Sequence, residues 1–189
     1  MARVRWRVFI DWAVTIGIAL VVVFALEAEV AKPYRIPTSS MEPTLHCAKP
    51  GAWCEASHSD RVIVNRLAYH FESPQRGQIV VFHAPSLAAA RCGEAGTFVK
   101  RLIGLPGDKL LEVHGHWSVN GKPLAESYIA ASERGNETGH WNVPAGQYFF
   151  MGDDRIHSCD SRVWGSVPRS SLIGPILVTY WPPDRLSFH

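Results

Sequence analysis

Residues 8–26 form an apolar run interrupted only by Asp11, and residues 13–26 carry no charge at all. About 20 apolar residues, with a working range from about 17, cross the hydrocarbon of a bilayer as a helix. The run meets that length, with Trp12 near one end and Glu27 and Glu29 beyond the other. Arg3, Arg5 and Arg7 precede it, and no basic residue lies inside it or just after it. The positive-inside bias then keeps the N-terminus in the cytoplasm and puts everything after Glu29 on the other side. We therefore read residues 1–30 as a cytoplasmic N-terminus with a transmembrane anchor, and residues 31–189 as an extracytoplasmic body. Two rivals compete for the run. A cleaved secretory signal fits the small residues around Ala25 and Ala28, but the run exceeds the usual apolar core of roughly 7–15 residues. A buried core helix is the other. Asp11 fits at headgroup depth.

The body is punctuated differently. The chain holds 13 prolines and 15 glycines in 189 residues, which favours short elements joined by turns and a mainly β architecture over a helical bundle. Hydrophobic content of 47% with 19% charged residues excludes a disordered chain. A net charge of +2, with the basic residues scattered, argues against a nucleic-acid partner. Pro33 and Pro37 oppose continuation of the first helix and favour an extended path. Runs rich in β-branched and aromatic residues predict strands at 61–67, 78–83, 97–105, 108–114, 117–119, 147–151 and 175–181. Pro106-Gly107 and Asn120-Gly121 predict turns. Residues 125–142 are polar and read as an excursion, so that about 115–147 forms a small inserted subdomain. Short helices are expected only at 87–91 and 125–132.

Cysteines stand at 47, 54, 92 and 159. Outside the cytoplasm disulfides are the default, and four cysteines allow three pairings among which the sequence does not choose. Cys47–Cys54 is favoured only because it closes a short loop. A zinc site from His46, Cys47, Cys54 and His58 matches none of the common ligand spacings, and no metal or cofactor is expected.

Three segments carry candidate chemistry. The first is Ile36-Pro37-Thr38-Ser39-Ser40-Met41-Glu42-Pro43-Thr44-Leu45. Taken alone it is a turn-rich loop in which serines are common, with Glu42 in solvent and Met41 and Leu45 in a core or lining a pocket. The second runs from Phe98 to Asp108. Alternation along a strand puts Phe98, Lys100 and Leu102 on one face and Val99, Arg101 and Ile103 on the other. A lysine turned into an apolar face loses hydration, which lowers its pKa; a lysine turned to solvent does not. The third, residues 152–162, is dense in polar groups. It reads as a solvated loop or, less well, as a calcium loop, since Asp153, Asp154 and Asp160 lack EF-hand spacing and Arg155 and Arg162 oppose a cation.

In this order after an N-terminal anchor, the three segments resemble the boxes of the type I signal peptidases, membrane-bound serine proteases that remove signal peptides from exported proteins. Asp60 to Val64 and Arg76 to Phe82 resemble intervening strands of the same family. The resemblance runs from the anchor to Pro168, nearly the whole chain. It implies an antiparallel β-sheet catalytic domain of the signal peptidase type with an N-terminal transmembrane helix. It implies that Ser40 is the nucleophile and Lys100 the general base, with an acyl-enzyme intermediate. Thr38 and the backbone N–H of Ser40 would form the oxyanion hole. Ser158 would orient the lysine, Asp160 and Arg162 would form a supporting ion pair, and Asp153 would add structural support. Ile36, Pro37, Met41, Leu45, Phe98 and Val99 match the family's substrate pockets, which accept small residues of the Ala-x-Ala type. The implied partners are signal peptides of exported preproteins and the lipid bilayer. The implied setting is a monomer in the plasma (inner) membrane with its catalytic domain on the periplasmic side.

Three features depart from the family pattern. Asp154 stands where Asn is usual, Cys159 replaces a small residue, and residues 47–59 look inserted after the nucleophile box. A negative Asp154 turned inward would raise the Lys100 pKa, and an oxidised Cys159 would disturb the site. Three other classes fit less well. A self-cleaving regulatory Ser-Lys protease lacks the anchor, a tethered non-enzymatic β domain would not need Ser40 or Lys100, and a Ser-His-Asp hydrolase would show a Gly-x-Ser-x-Gly elbow that is missing here.

Overall fold

The computed structural model describes residues 2–129 and 131–189; side chains at 2–5, 7–9, 22 and 24–29 lie outside it. Helix α1 spans Ala2–Val30. The run at 8–26 falls on it, and its side chains at 8, 9, 22 and 24–26 are among those outside the described residues. Among the described residues, no helix is long and apolar enough to cross a membrane. Those apolar side chains of the run that are described, from Ile10 to Val23, are exposed. They are not packed as a core helix would be.

Strand β1 (Ala31–Arg35) follows α1 directly and pairs along its whole length with β2 (Arg61–Asn65). Then come the short helix α2 (Ala68–Phe71), β3 (Ile79–His83), α3 (Ser86–Cys92) and β4 (Thr97–Gly104). A smaller unit follows: β5 (Lys109–Val113), β6 (His116–Val119), β7 (Lys122–Pro123) and β8 (Gly139–Asn142). The chain returns through β9 (Gln147–Met151), α4 (Ser161–Trp164), β10 (Val167–Pro168), β11 (Leu172–Trp181) and β12 (Ser187–Phe188). The main sheet runs β1-β2-β11-β3-β4-β9-β10, with β12 also on β11; the second runs β7-β6-β5-β8. Every strand pair is antiparallel. The architecture is therefore mainly β and antiparallel.

The main sheet buries both faces, which explains why β3 reads as a continuous apolar run instead of an alternating one. Val80 and Phe82 join Phe98, Leu102, Phe150, Trp164 and Val167 in one cluster. Ile79 and Val81 point the other way and join Ile36, Met41, Leu45, Val62, Val64 and Ile176. A third cluster, with Ile103, Leu110, Trp117, Val119, Phe149 and Met151, joins β4 and β9 to the small sheet. Strand β11 changes partner midway, from β3 to β2. Gly174 sits at that change, and a Cβ there would stand 1.9 Å from the carbonyl oxygen of Asn65. Asn120 and Gly121 both have positive φ, as the tight turn between β6 and β7 requires.

Several expectations need correction. Residues 125–132 form no α-helix among the described residues; a 3-10 turn, Ala131–Glu133, stands at their end, and Ala130 lies outside the described residues. The buried Glu126 carboxylate there pairs with Arg134 at 3.2 Å and with Arg155. Strand β11 starts three residues before 175. Strands β7, β8, β10 and β12 and helices α2 and α4 were not expected as such. Each is two to four residues long, too short for its own periodicity to show.

Candidate active site

Apolar side chains on both sides of Ser40 fix its position. Ile36, Met41 and Leu45 are buried in one cluster with the sheet, and the 3-10 turn Ser39–Met41 lies between them. The turn is closed by the Glu42 N–H on the Ser39 carbonyl at 2.7 Å and the Leu45 N–H on the Met41 carbonyl at 2.9 Å. Glu42, expected in solvent, is buried. Its carboxylate accepts the N–H groups of Cys47 at 3.1 Å and Glu55 at 3.4 Å and contacts the His46 ring. Burial raises its pKa, against those two backbone donors.

Lys100 enters from β4, opposite Val80 of β3. It is only 4% exposed, and its Nζ donates a hydrogen bond to Ser40 Oγ. The Phe98 ring centroid lies 5.8 Å from that nitrogen. Burial lowers the Lys100 pKa to about 8, outweighing Asp160, Glu94 and Asp153, which raise it. Asp154 is engaged by its neighbour His157. Its carboxylate accepts the His157 N–H and faces His157 Nδ1, both at 2.9 Å.

Thr38 Oγ1 lies 3.4 Å from Ser40 Oγ. A cavity of about 290 Å³ opens beside these atoms. Ile36, Pro37, Thr38, Met41, Phe98 and Val99 line it, together with Ser40 and Lys100. Leu45 does not. It is completely buried in the core cluster and acts there as packing. Residues Thr97–Lys100 pair with β3, whereas β4 meets β9 only from Arg101 onward. One backbone edge of this stretch thus has no strand partner among the described residues.

The third segment packs against both others. Asp160 Oδ1 accepts Arg162 Nε at 2.9 Å, and Asp160 Oδ2 accepts Arg162 Nη2 at 2.9 Å and the Gly152 N–H at 3.1 Å. Asp153, fully buried, takes a bidentate pair from Arg101 at 2.8 and 2.6 Å and the hydroxyl of Thr44. Ser158 Oγ is buried and has no hydrogen-bond partner among the described residues. Sequence reasoning missed Arg101 and Thr44. The signal for Arg101 was its place on the face opposite Lys100, next to a second buried demand for charge. Cys47 is bonded to Cys54, so neither sulfur is free to hold zinc; Cys92 is bonded to Cys159, tying α3 to the loop between Ser158 and Asp160.

The family described as "Signal peptidase, peptidase S26" matches residues 9–181. The chain belongs to this family. Signal peptidase I of Leptolyngbya laminosa is 39% identical over 91% of this chain and 79% of that protein. Probable signal peptidase I-2 of Synechocystis is 40% identical over 91% of this chain and 73% of that protein. Signal peptidase IB of Staphylococcus aureus is 30% identical over 95% and 93%. A crystal structure of a signal peptidase I from Enterococcus faecalis matches with 32% identity and a TM-score of 0.48, covering 55% of this chain and 97% of that one. As a member of the signal peptidase family, the chain is a serine endopeptidase.

Proposed function

We propose that the chain removes signal peptides from exported preproteins by a Ser40–Lys100 dyad. One observation carries this reading: the buried Lys100 amine donates to the Ser40 hydroxyl where the cavity meets the unpaired edge of β4. A serine hydroxyl is a poor nucleophile until a base takes its proton. An amine with a pKa near 8 is present substantially as free base in mildly alkaline solution and can take it.

In this mechanism the substrate lies extended along Thr97–Lys100 and adds its backbone to the open edge. Small side chains before the scissile bond enter the cavity between Ile36, Pro37, Met41, Phe98 and Val99. Large ones are rejected sterically. Neutral Lys100 accepts the Ser40 proton as Oγ attacks the carbonyl carbon. The Ser40 N–H and the Thr38 hydroxyl hold the oxyanion, and loss of one such donor costs about 2.7–4 kcal/mol in comparable hydrolases. Protonated Lys100 then gives its proton to the leaving amine. Water, deprotonated by the same amine, hydrolyses the acyl-enzyme, so no histidine is needed. Asp160 with Arg162 and Asp153 with Arg101 hold the loop behind the amine.

We further propose that α1 anchors residues 31–189 in the plasma membrane, with the N-terminus cytoplasmic, and that the small sheet β5–β8, over residues 109–142, forms an accessory unit. The exposed described side chains of α1 and the arginines before them support this. The exposed Leu177, Tyr180, Trp181 and Phe188 fit contact with the lipid surface. Deleting residues 1–30 and replacing these four by serine should release activity into the soluble fraction.

The decisive test is cleavage of a preprotein with an Ala-x-Ala site. The wild type should cut once after the second alanine. Ser40→Ala and Lys100→Ala should cut at less than a thousandth of that rate. Equal cleavage by all three would end this reading.

A further inference from the structure

A second cavity, of about 240 Å³, meets the first at Thr38, Ser40 and Lys100 and then diverges from it. The first cavity continues along β1 and β4. The second reaches the inserted loop and is lined by Ala52, Trp53 and Cys54 of that loop and by His157 and Cys159. An extended peptide that enters through the first cavity and presents a bond to Ser40 must leave by another route, and this cavity supplies it.

The loop is built to hold one ring there. The Cys47–Cys54 bond closes it. Gly51 allows the closure, since a Cβ at that position would stand 2.6 Å from Cys54 Sγ. The buried Glu42 carboxylate ties down the N–H groups of Cys47 and Glu55 at its two ends. Trp53, at its tip, adopts a φ of 62°, a left-handed conformation costly for a bulky residue and found most often where function requires it. One face of its indole stacks on His157, with ring centroids 4.1 Å apart and planes 19° apart. His157 is itself fixed by Asp154 at 2.9 Å. Trp53 nevertheless remains 66% exposed. An aromatic held this firmly, yet left uncovered beside the nucleophile, has a free surface for a ligand.

We propose that the loop 47–54 is the subsite for the leaving side of the substrate, with Trp53 its specificity-determining residue. Trp53 receives the side chain at the first or second position after the scissile bond. It favours a flat one, aromatic or guanidinium, through stacking and cation–π attraction. Glu94, which lines both cavities, disfavours aspartate there by like charge. The inference rests on Ser40 and Lys100 being the reacting pair.

The test uses the full-length protein in detergent and preprotein substrates with a fixed Ala-x-Ala site. The two positions after the cut are varied among Phe, Arg, Gly and Asp. Wild type should prefer Phe or Arg over Gly or Asp by roughly three- to tenfold in kcat/KM. Trp53→Ala should bring that ratio near one, mainly through KM, while the preference for Ala over Val before the cut stays as in wild type. Trp53→Phe should keep most of the discrimination, and Trp53→Leu little. A flat wild-type profile, or the same profile in Trp53→Ala, would overturn the proposal. Equal cleavage by wild type and Ser40→Ala would instead overturn the dyad on which it rests.

Discussion

Gly152 and Ser40 lie so close that no other residue fits at position 152. A Cβ on Gly152 would stand 2.3 Å from the carbonyl oxygen of Ser40 and 2.3 Å from Ser158 Oγ. The Asp154 N–H donates to the same Ser40 carbonyl at 3.3 Å. The segment after β9 is thus pressed against the nucleophile's backbone. Gly152→Ala must push Ser40 or Ser158 away. A displacement of about 1 Å in a reacting group costs about a hundredfold in rate. The variant should remain folded, lose about 1–3 kcal/mol of stability, and lose most of its kcat. Activity within twofold of wild type would show that Ser40 tolerates the shift.

Arg101 and Asp153 form the buried ion pair beneath the site. Asp153 is fully buried and takes both of its Arg101 bonds below 3 Å. Removing one partner leaves an uncompensated buried charge, which typically costs about 3–5 kcal/mol. Arg101→Met should show that loss in urea unfolding. Arg101→Met combined with Asp153→Asn should cost less than the sum of the two single changes, because the second removes the stranded charge. Additive losses would mean that the two side chains act independently.

The Cys92–Cys159 bond joins positions 67 apart in sequence and anchors the loop between Ser158 and Asp160 to α3. Closing a loop of that length stabilises a protein by about 2–4 kcal/mol, mainly by restricting the unfolded chain. Cys92→Ser with Cys159→Ser should lower the melting temperature by several degrees and reduce kcat/KM for preprotein cleavage, since the loop backs the amine and lines the second cavity. A melting temperature and a kcat/KM both unchanged from wild type would contradict this.

Lys100 carries a stability cost that its chemistry requires. Its folded pKa, about 8, lies below the ordinary 10.5. The unfolded chain therefore binds more protons across that window, and stability rises with pH from about 8 to 10.5. Below pH 8 the cost of a buried ammonium is fully present. Lys100→Met removes it. The variant should be inactive but melt a few degrees higher than wild type at pH 7, with the gap closing as the pH approaches 10. A lower melting temperature at pH 7 would mean that the hydrogen bond to Ser40 outweighs desolvation.

Parts of this structure were legible in the sequence for simple reasons. Strands β3 and β4 are runs of Val, Ile and Phe bounded by turn residues, and their pleat already separates Phe98, Lys100 and Leu102 from Val99, Arg101 and Ile103. Strand β8 was not legible. Gly139, His140, Trp141 and Asn142 form a strand because β5 offers a partner, and their own composition says loop. Glu42 was misread because hydropathy counts its charge and cannot count the N–H groups of Cys47 and Glu55 that surround it. The contact between Ser40 and Lys100 spans 60 positions. No periodicity joins residues that far apart; only the resemblance of whole segments to a known family did. Trp53 had no signal of its own, since its importance comes from the loop conformation that places it over the site.

The most direct measurement is the titration of the Lys100 amine by NMR on lysine labelled at Nζ with ¹⁵N, with Lys100→Met identifying the resonance. The account predicts a midpoint near pH 8, matched by the acid limb of kcat/KM for preprotein cleavage. A midpoint near the ordinary 10.5, or an acid limb that does not follow it, would contradict the account.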